Sequence, residues 1–331
     1  MTHESFRPSL QTSKTVFITG ANGFIGRALA DRLRAVGCQV GGVDLRADPD
    51  NGVLAGSTSD PVGWSGALAG VDVVIHTAAI VSNAAPLDRA WEVNVLGTRR
   101  VLDAAVANGV PRFVHLSSVA AYGFDFPDGV DETYPVRVNG CSYTDTKVNS
   151  EAVVLAAHAA GEIECTIIRP SDVYGPGSNP WVVLPLQAIK KGQMLLPNGG
   201  NGILSPVYID NFVDGTLLAL SSDAAAGQIF ILGDGYGVTC ADYFGRLAEL
   251  AGGKVRTLPT KAAIALANVV GLAQRCLGQA SEFNTATMLL LDRPGTYSID
   301  KARRVLGFDP VVTYDDGMAR VGAWARAKGL V

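Results

Sequence analysis

The chain has 331 residues, 48% apolar and 18% charged, with a net charge of −4. That length and apolar share allow a large core in one or two lobes. The acidic balance argues against a surface for nucleic acid or anionic membrane.

Five cysteines (Cys38, Cys141, Cys165, Cys240 and Cys276) include no C-x-x-C spacing. They read as reduced thiols of a cytoplasmic protein. His3, His76, His115 and His158 show no ligand spacing, so no metal site is expected. Residues 1–13 are polar and read as a flexible tail, without the apolar run of a signal peptide.

In chain order, a β-rich run at 14–19 ends in glycine, and helical apolar spacing follows over 26–36. Strands are expected at 39–45, 53–55 and 72–76, the last continuously apolar as in a buried parallel sheet. A long helix over 87–108, a strand at 112–117, a helix over 143–160 and a strand at 165–169 follow. This alternation predicts an α/β fold, a Rossmann-type doubly wound parallel sheet with helices on both faces. After Pro170 the regularity weakens, with prolines at 176, 180, 185, 197 and 206 and a late strand at 228–232. The stretch 262–274 is uncharged and mostly apolar, between Lys261 and Arg275. It is shorter than the roughly 20 residues that span a bilayer. A helix packed on the second lobe is expected there, with an apolar lid or a lipid-contacting surface as alternatives.

Gly20-Ala21-Asn22-Gly23-Phe24-Ile25-Gly26 joins the first strand to the first helix. Glycines permit a tight turn and let backbone approach a pyrophosphate, which the helix N-terminus then attracts. Gly20, Asn22, Gly23, Phe24, Ile25 and Gly26 are therefore candidate cofactor residues. Asp44 ends the second strand 18 residues after Gly26. An acid there bonds ribose hydroxyls and repels a 2′-phosphate, which favours NAD over NADP, although Arg46 lies close by. The expected division is an NAD-binding domain over 14–175 and a smaller, less regular substrate lobe over 176–331, interleaved with the first.

Tyr143 and Lys147 stand four residues apart on the helix expected at 143–160 and so share a face. A phenol is a poor base near neutral pH, and a nearby ammonium lowers its pKa. The pair can then move a proton to or from a hydroxyl.

These motifs resemble the short-chain dehydrogenase/reductase superfamily in its extended branch, over nearly the whole chain. The glycine spacing is G-x-x-G-x-x-G, and Val74-Ile75-His76-Thr77-Ala78-Ala79 is similar to the fourth-strand motif lining the cofactor. Asn94-Val95-Leu96-Gly97-Thr98 continues the likeness on the long helix. Phe113 to Gly123 is similar to the stretch carrying the active-site serine, four residues before Tyr122-Gly123, which selects Ser118. Tyr143 stands 25 residues beyond it. Ile168 to Gly177 is similar to the sixth-strand element, whose Pro170 and Val173 would sit by the nicotinamide. The resemblance implies Tyr143 as acid/base, Lys147 lowering its pKa and binding the nicotinamide ribose, and Ser118 polarising the substrate oxygen. Ala78, Ala79, Asn94 and Ser117 join the implied cofactor set, Asn94 with a structural role as its alternative. A homodimer through the two long helices is also implied.

Three local readings bear on the reaction. Val119 and Ala120 follow Ser118 where the family's dehydratases carry an acid, so dehydration lacks its proton donor. Leu204 replaces an arginine that sugar-nucleotide enzymes direct at a diphosphate. Arg293 resembles a late phosphate-binding arginine of the epimerases, or is a surface arginine. Trp181, Val182, Val183, Leu184 and Leu186 suggest an apolar lining, which suits a hydrophobic alcohol or ketone. The expected function is an NAD-dependent oxidoreductase similar to 3β-hydroxysteroid dehydrogenases, acting on a steroid-, terpenoid- or aromatic-like alcohol. The alternatives are a sugar-nucleotide 4-epimerase and a dinucleotide sensor without activity.

Overall fold

The structure is a computed structural model that describes residues 14–278 and 281–331. The tail expected at 1–13 lies outside the described residues. The strands are β1 (Thr15–Thr19), β2 (Gln39–Asp44), β3 (Val53–Ala55), β4 (Val73–His76), β5 (Arg112–Leu116), β6 (Glu164–Pro170), β7 (Asp172–Tyr174), β8 (Leu195–Pro197), β9 (Ile203–Leu204), β10 (Pro206–Tyr208), β11 (Ile229–Leu232), β12 (Val238–Thr239) and β13 (Arg256–Leu258). The helices are α1 (Phe24–Ala35), α2 (Leu87–Trp91), α3 (Gly97–Ala107), α4 (Ser142–Ala159), α5 (Leu184–Lys190), α6 (Ile209–Ser221), α7 (Cys240–Ala251), α8 (Thr260–Cys276), α9 (Thr285–Leu290), α10 (Asp300–Leu306) and α11 (Tyr314–Ala327).

Seven strands form one sheet in the order β11-β6-β5-β4-β1-β2-β3, every pair parallel. Strand side chains alternate between the faces, which divides the core in two. Val16, Ile18, Val73 and Ile75 join Leu29 and Leu33 of α1 on one face. Phe17, Val74 and Phe113 join Trp64, Val101 and Leu102 on the other. The order reverses between β1 and β4, and a doubly wound sheet opens its crevice at the carboxyl ends of such strands. β11 comes from the later half of the chain and lies beside β6.

The helix expected over 87–108 is interrupted. Glu92–Leu96 is a turn of π-helix between α2 and α3, a local widening often found at functional sites. α1 begins at Phe24, two residues before the expected start, because helical backbone needs no apolar spacing to begin.

A buried ion pair locks α4 onto the sheet. Arg169 of β6 donates from Nη2 to Glu151 Oε2 at 2.6 Å and from Nε to Oε1 at 2.8 Å. Its Nη1 donates to Tyr122 Oη at 2.7 Å, and Ser117 Oγ donates to Glu151 Oε1. All four polar groups sit in the core, where charges are tolerated only when paired and bonded. Glu151→Ala would leave the guanidinium buried without its carboxylate. We expect a loss of about 3–5 kcal/mol, read as a lower urea midpoint.

Candidate active site

The turn after β1 is shaped by close backbone approach. Gly20 has φ +70°, and a Cβ there would lie 2.9 Å from Ala78 Cα. A Cβ on Gly26 would lie 2.3 Å from Gly20 O. Gly23 is the N-cap of α1, no side chain caps the helix, and its first turn carries no acid. The free N–H groups of Phe24 and Ile25 and the helix dipole thus favour an anion. Asp44 lies against this turn: Oδ2 accepts from Asn22 N at 3.0 Å and Oδ1 from Leu45 N at 2.7 Å. Asn22 Nδ2 donates to Arg46 O. Ala78 and Ala79 stand half-buried past β4, and Ala78 N donates to Thr19 Oγ1 at 3.4 Å. Pro170 and Val173 are buried at the end of β6 and in β7. These expected cofactor positions therefore gather at the carboxyl ends of β1, β2, β4 and β6.

Ser118 caps the short helix Val119–Tyr122, and its Oγ accepts from Ala120 N at 3.1 Å. The nearby Ser118 hydroxyl pulls the Tyr143 phenol pKa down. Loss of water around Tyr143 is the larger influence, and the phenol is pushed up to about 12, with Cys141 and Asp172 adding to the rise. Lys147 is buried and donates from Nζ to Leu116 O at 2.6 Å, 5.9 Å from the Tyr143 ring centre. Burial lowers its ammonium to about 8, with Glu151 opposing. The Lys147 ammonium is turned to the Leu116 carbonyl.

Two neutral histidines lie beneath Lys147. Thr98 spends its proton on Asn94 O at 2.7 Å, so it accepts from His76 Nε2, and His76 Nδ1 accepts from Thr19. Ser150 spends its proton on Lys147 O, so His115 Nε2 donates to it. The rings stack at 5.6 Å. Burial, then the Lys147 charge, holds His76 down at about 3 and His115 well below its ordinary value. These are packed, bonded strand residues that stay uncharged beside Lys147.

Two of the expected cofactor residues make bonds inside the core, Asn94 in the structural role given as its alternative. Asn94 Oδ1 accepts from Ile80 N at 2.7 Å, while Nδ2 donates to Ile80 O and Thr146 Oγ1. A buried amide must satisfy its donors locally, so Asn94 clamps the loop after β4 to α4, one turn from Tyr143. The Ser117 hydroxyl is likewise turned inward to Glu151 and does not face the cleft.

Arg293 is not a surface arginine. It is 2% exposed and donates from Nη2 to Asp172 Oδ2 at 2.6 Å. Asp172 Oδ2 also accepts from Ser205 N. Leu204, in the place of the other expected arginine, is buried. Of the supposed apolar lining, Val182 and Leu186 enter the core, Leu184 is exposed, and Trp181 and Val183 are half-buried. Sequence reasoning missed a strap across the site. Ser82 and Asn83 N donate to Glu282, Asn284 donates to Asn83 O, and Cys141 Sγ contacts Asn83 Oδ1 at 3.3 Å. A cavity of about 430 Å³ lined by Asp234, Tyr236, Arg246 and Tyr314 includes none of the expected site residues.

The profile of the NAD dependent epimerase/dehydratase family matches residues 16–233. The chain belongs to this family. A ketoreductase of Stigmatella aurantiaca, named for 4-hydroxy-2-methyl-3-oxo-4-farnesyl-3,4-dihydroquinoline-1-oxide, is 31% identical over 91% of this chain and 94% of its own. A 3-beta-hydroxysteroid dehydrogenase of Mycolicibacterium neoaurum is 29% identical over 94% and 92%. Among solved structures, MoeE5 in complex with UDP-glucuronic acid and NAD superposes with a TM-score of 0.77, at 26% identity over 95% of this chain and 99% of that one. The protein is thus an oxidoreductase of the epimerase/dehydratase family, with the family's parallel sheet.

Gly26→Ala tests the turn. Its methyl group meets backbone rather than a flexible side chain, so the turn must open, at roughly 1–3 kcal/mol. Calorimetric titration should show weakened NAD binding, with a lower melting temperature.

Proposed function

We propose that the protein interconverts a secondary alcohol and a ketone on a hydrophobic, steroid-, terpenoid- or aromatic-like substrate, with NAD as its cofactor. The observation that carries this reading is the fate of Arg293. It is buried on Asp172 rather than free for a diphosphate, and leucine stands at 204 where a second arginine would reach one. A buried pair resists giving up one partner, because the charge left behind is unpaid. The names of the ketoreductase and the hydroxysteroid dehydrogenase point to apolar substrates as well.

The Gly20–Gly26 turn and the α1 N-terminus would hold the pyrophosphate, Asp44 the ribose hydroxyls, and Pro170 and Val173 the nicotinamide side. NAD supplies hydride transfer when bound. Ser118 holds the substrate oxygen, and Tyr143 exchanges a proton with it. A phenol near 12 is protonated at neutral pH, so in ketone reduction Tyr143 donates its proton to the oxygen that becomes the hydroxyl. Lys147 keeps its charge below about 8, and turning that charge from Leu116 O toward the phenol would make Tyr143 a stronger acid. The homodimer would use α3 and α4, which leave Leu155 and Val106 exposed.

NADH formation with a panel of hydrophobic secondary alcohols is the direct test. No NADH with any of them, alongside inversion at C4 of a UDP-hexose, would establish the epimerase reading instead. Tyr143→Phe should lose at least about a hundredfold in turnover while still binding NAD. The reductive rate should fall as pH rises through about 8, because Lys147 then loses the charge that strengthens the phenol as an acid. Lys147→Met should abolish that inflection.

Asp44→Ala should weaken NAD binding and narrow the preference over NADP, since it removes both a ribose ligand and the repulsion of a 2′-phosphate. An unchanged ratio of the two affinities would remove Asp44 from the ribose site.

A further inference from the structure

α8 is apolar on two opposite faces. Ala263, Ala267 and Gly271 form the inner one, and a Cβ on Gly271 would meet Phe283 O at 2.0 Å. That face is closed against the protein. On the outer face Leu266, Val269 and Leu272 are 43%, 66% and 58% exposed, with Leu277 beyond them at 75%. Their spacing of three along the helix makes one continuous stripe.

Charge decides what this stripe meets. The segment 250–281 contains Lys254, Arg256, Lys261 and Arg275 and no aspartate or glutamate, in a chain whose net charge is −4. All four cations are exposed, with Lys261 and Arg275 at the two ends of the stripe. A second copy packed on this face would set cation against cation in either direction, with no carboxylate on the helix to separate them. An anionic bilayer answers both features: headgroups take the cations and acyl chains the stripe. Among the described residues no helix is long and apolar enough to cross a membrane, so such a helix lies in the interface plane.

We propose that the outer face of α8 docks the protein on an anionic lipid surface, with Leu266, Val269 and Leu272 among the acyl chains and Lys261 and Arg275 at the headgroups. The overall acidic balance, which argued against a membrane surface, is reversed locally. The segment after α8 carries Glu282, which bonds Ser82 and Asn83, and Asn83 touches Cys141 two residues before Tyr143. Docking therefore brings the strap over the active site to the lipid surface. Delivery of substrate from the bilayer rests on the hydrophobic-substrate reading, but the docking itself does not.

The test is sedimentation of the full chain with vesicles of phosphatidylcholine alone or mixed with phosphatidylglycerol. Binding should appear on the mixed vesicles and weaken with added salt. Val269→Asp with Leu272→Asp should abolish it, and Lys261→Gln should weaken it about fivefold. Both sites are exposed, so melting temperature and NAD affinity should match the parent chain. Failure of the parent chain to bind mixed vesicles overturns the proposal, as does equal binding by the double variant. Light scattering that shows the double variant at half the parent's mass also overturns it, by assigning the stripe to a second copy. Because binding is read without turnover, its failure leaves the oxidoreductase reading standing, and the reverse also holds.

Discussion

The pairing of Glu151 with Arg169 is the constraint on which the catalytic geometry depends. It joins the middle of α4 to the end of β6, and through Ser117 and Tyr122 it reaches the loop after β5. Tyr143 and Lys147 are carried on the same helix, and Ser118 follows Ser117 directly. One buried ion pair thereby sets the serine, the tyrosine and the lysine in a single frame. Its two-pronged geometry matters more than its net energy, because charged groups gain little from burial but permit few alternative arrangements.

A second layer of polar groups completes that frame. Asn94, on the π-turn, holds Ile80 with two bonds and reaches Thr146 with a third. The neutral histidines stack below Lys147 and leave its ammonium without a nearby carboxylate closer than Glu151. Burial lowers the lysine to about 8 and raises the tyrosine to about 12, so the ammonium becomes the stronger acid of the two. Both shifts favour the uncharged form of each group, as loss of water does for any buried acid or base.

Much of this was legible before the structure. The continuous apolar run of β4, the glycine turn and the spacing from Ser118 to Tyr143 are local patterns, and local patterns survive folding. The helix breaks did not show, because the π-turn at 92–96 preserves helical composition while changing only hydrogen bonding. Ser117 and Asn94 stand at family motif positions, which imply cofactor contacts, with a structural role as the alternative for Asn94. Their partners, Glu151 and Ile80, are 34 and 14 residues away, and no spacing rule connects them. Arg169 carried a usable hint: an arginine among apolar strand residues requires a carboxylate nearby. The hint says that a partner exists and does not say which.

By itself the sequence determined the parallel sheet, the strand–turn–helix at Gly20–Gly26, the acid at Asp44 and the Tyr143/Lys147 helix face. Each depends on periodicity, backbone freedom or short spacing, which the chain carries along its length. Only the tertiary structure decided that Arg293 is consumed by Asp172, that the strap from Glu282 crosses to Asn83, and that the stripe on α8 faces outward. Those outcomes depend on which distant groups meet and which face is covered, and burial, rather than residue type, sets whether a charge is free to bind or already spent.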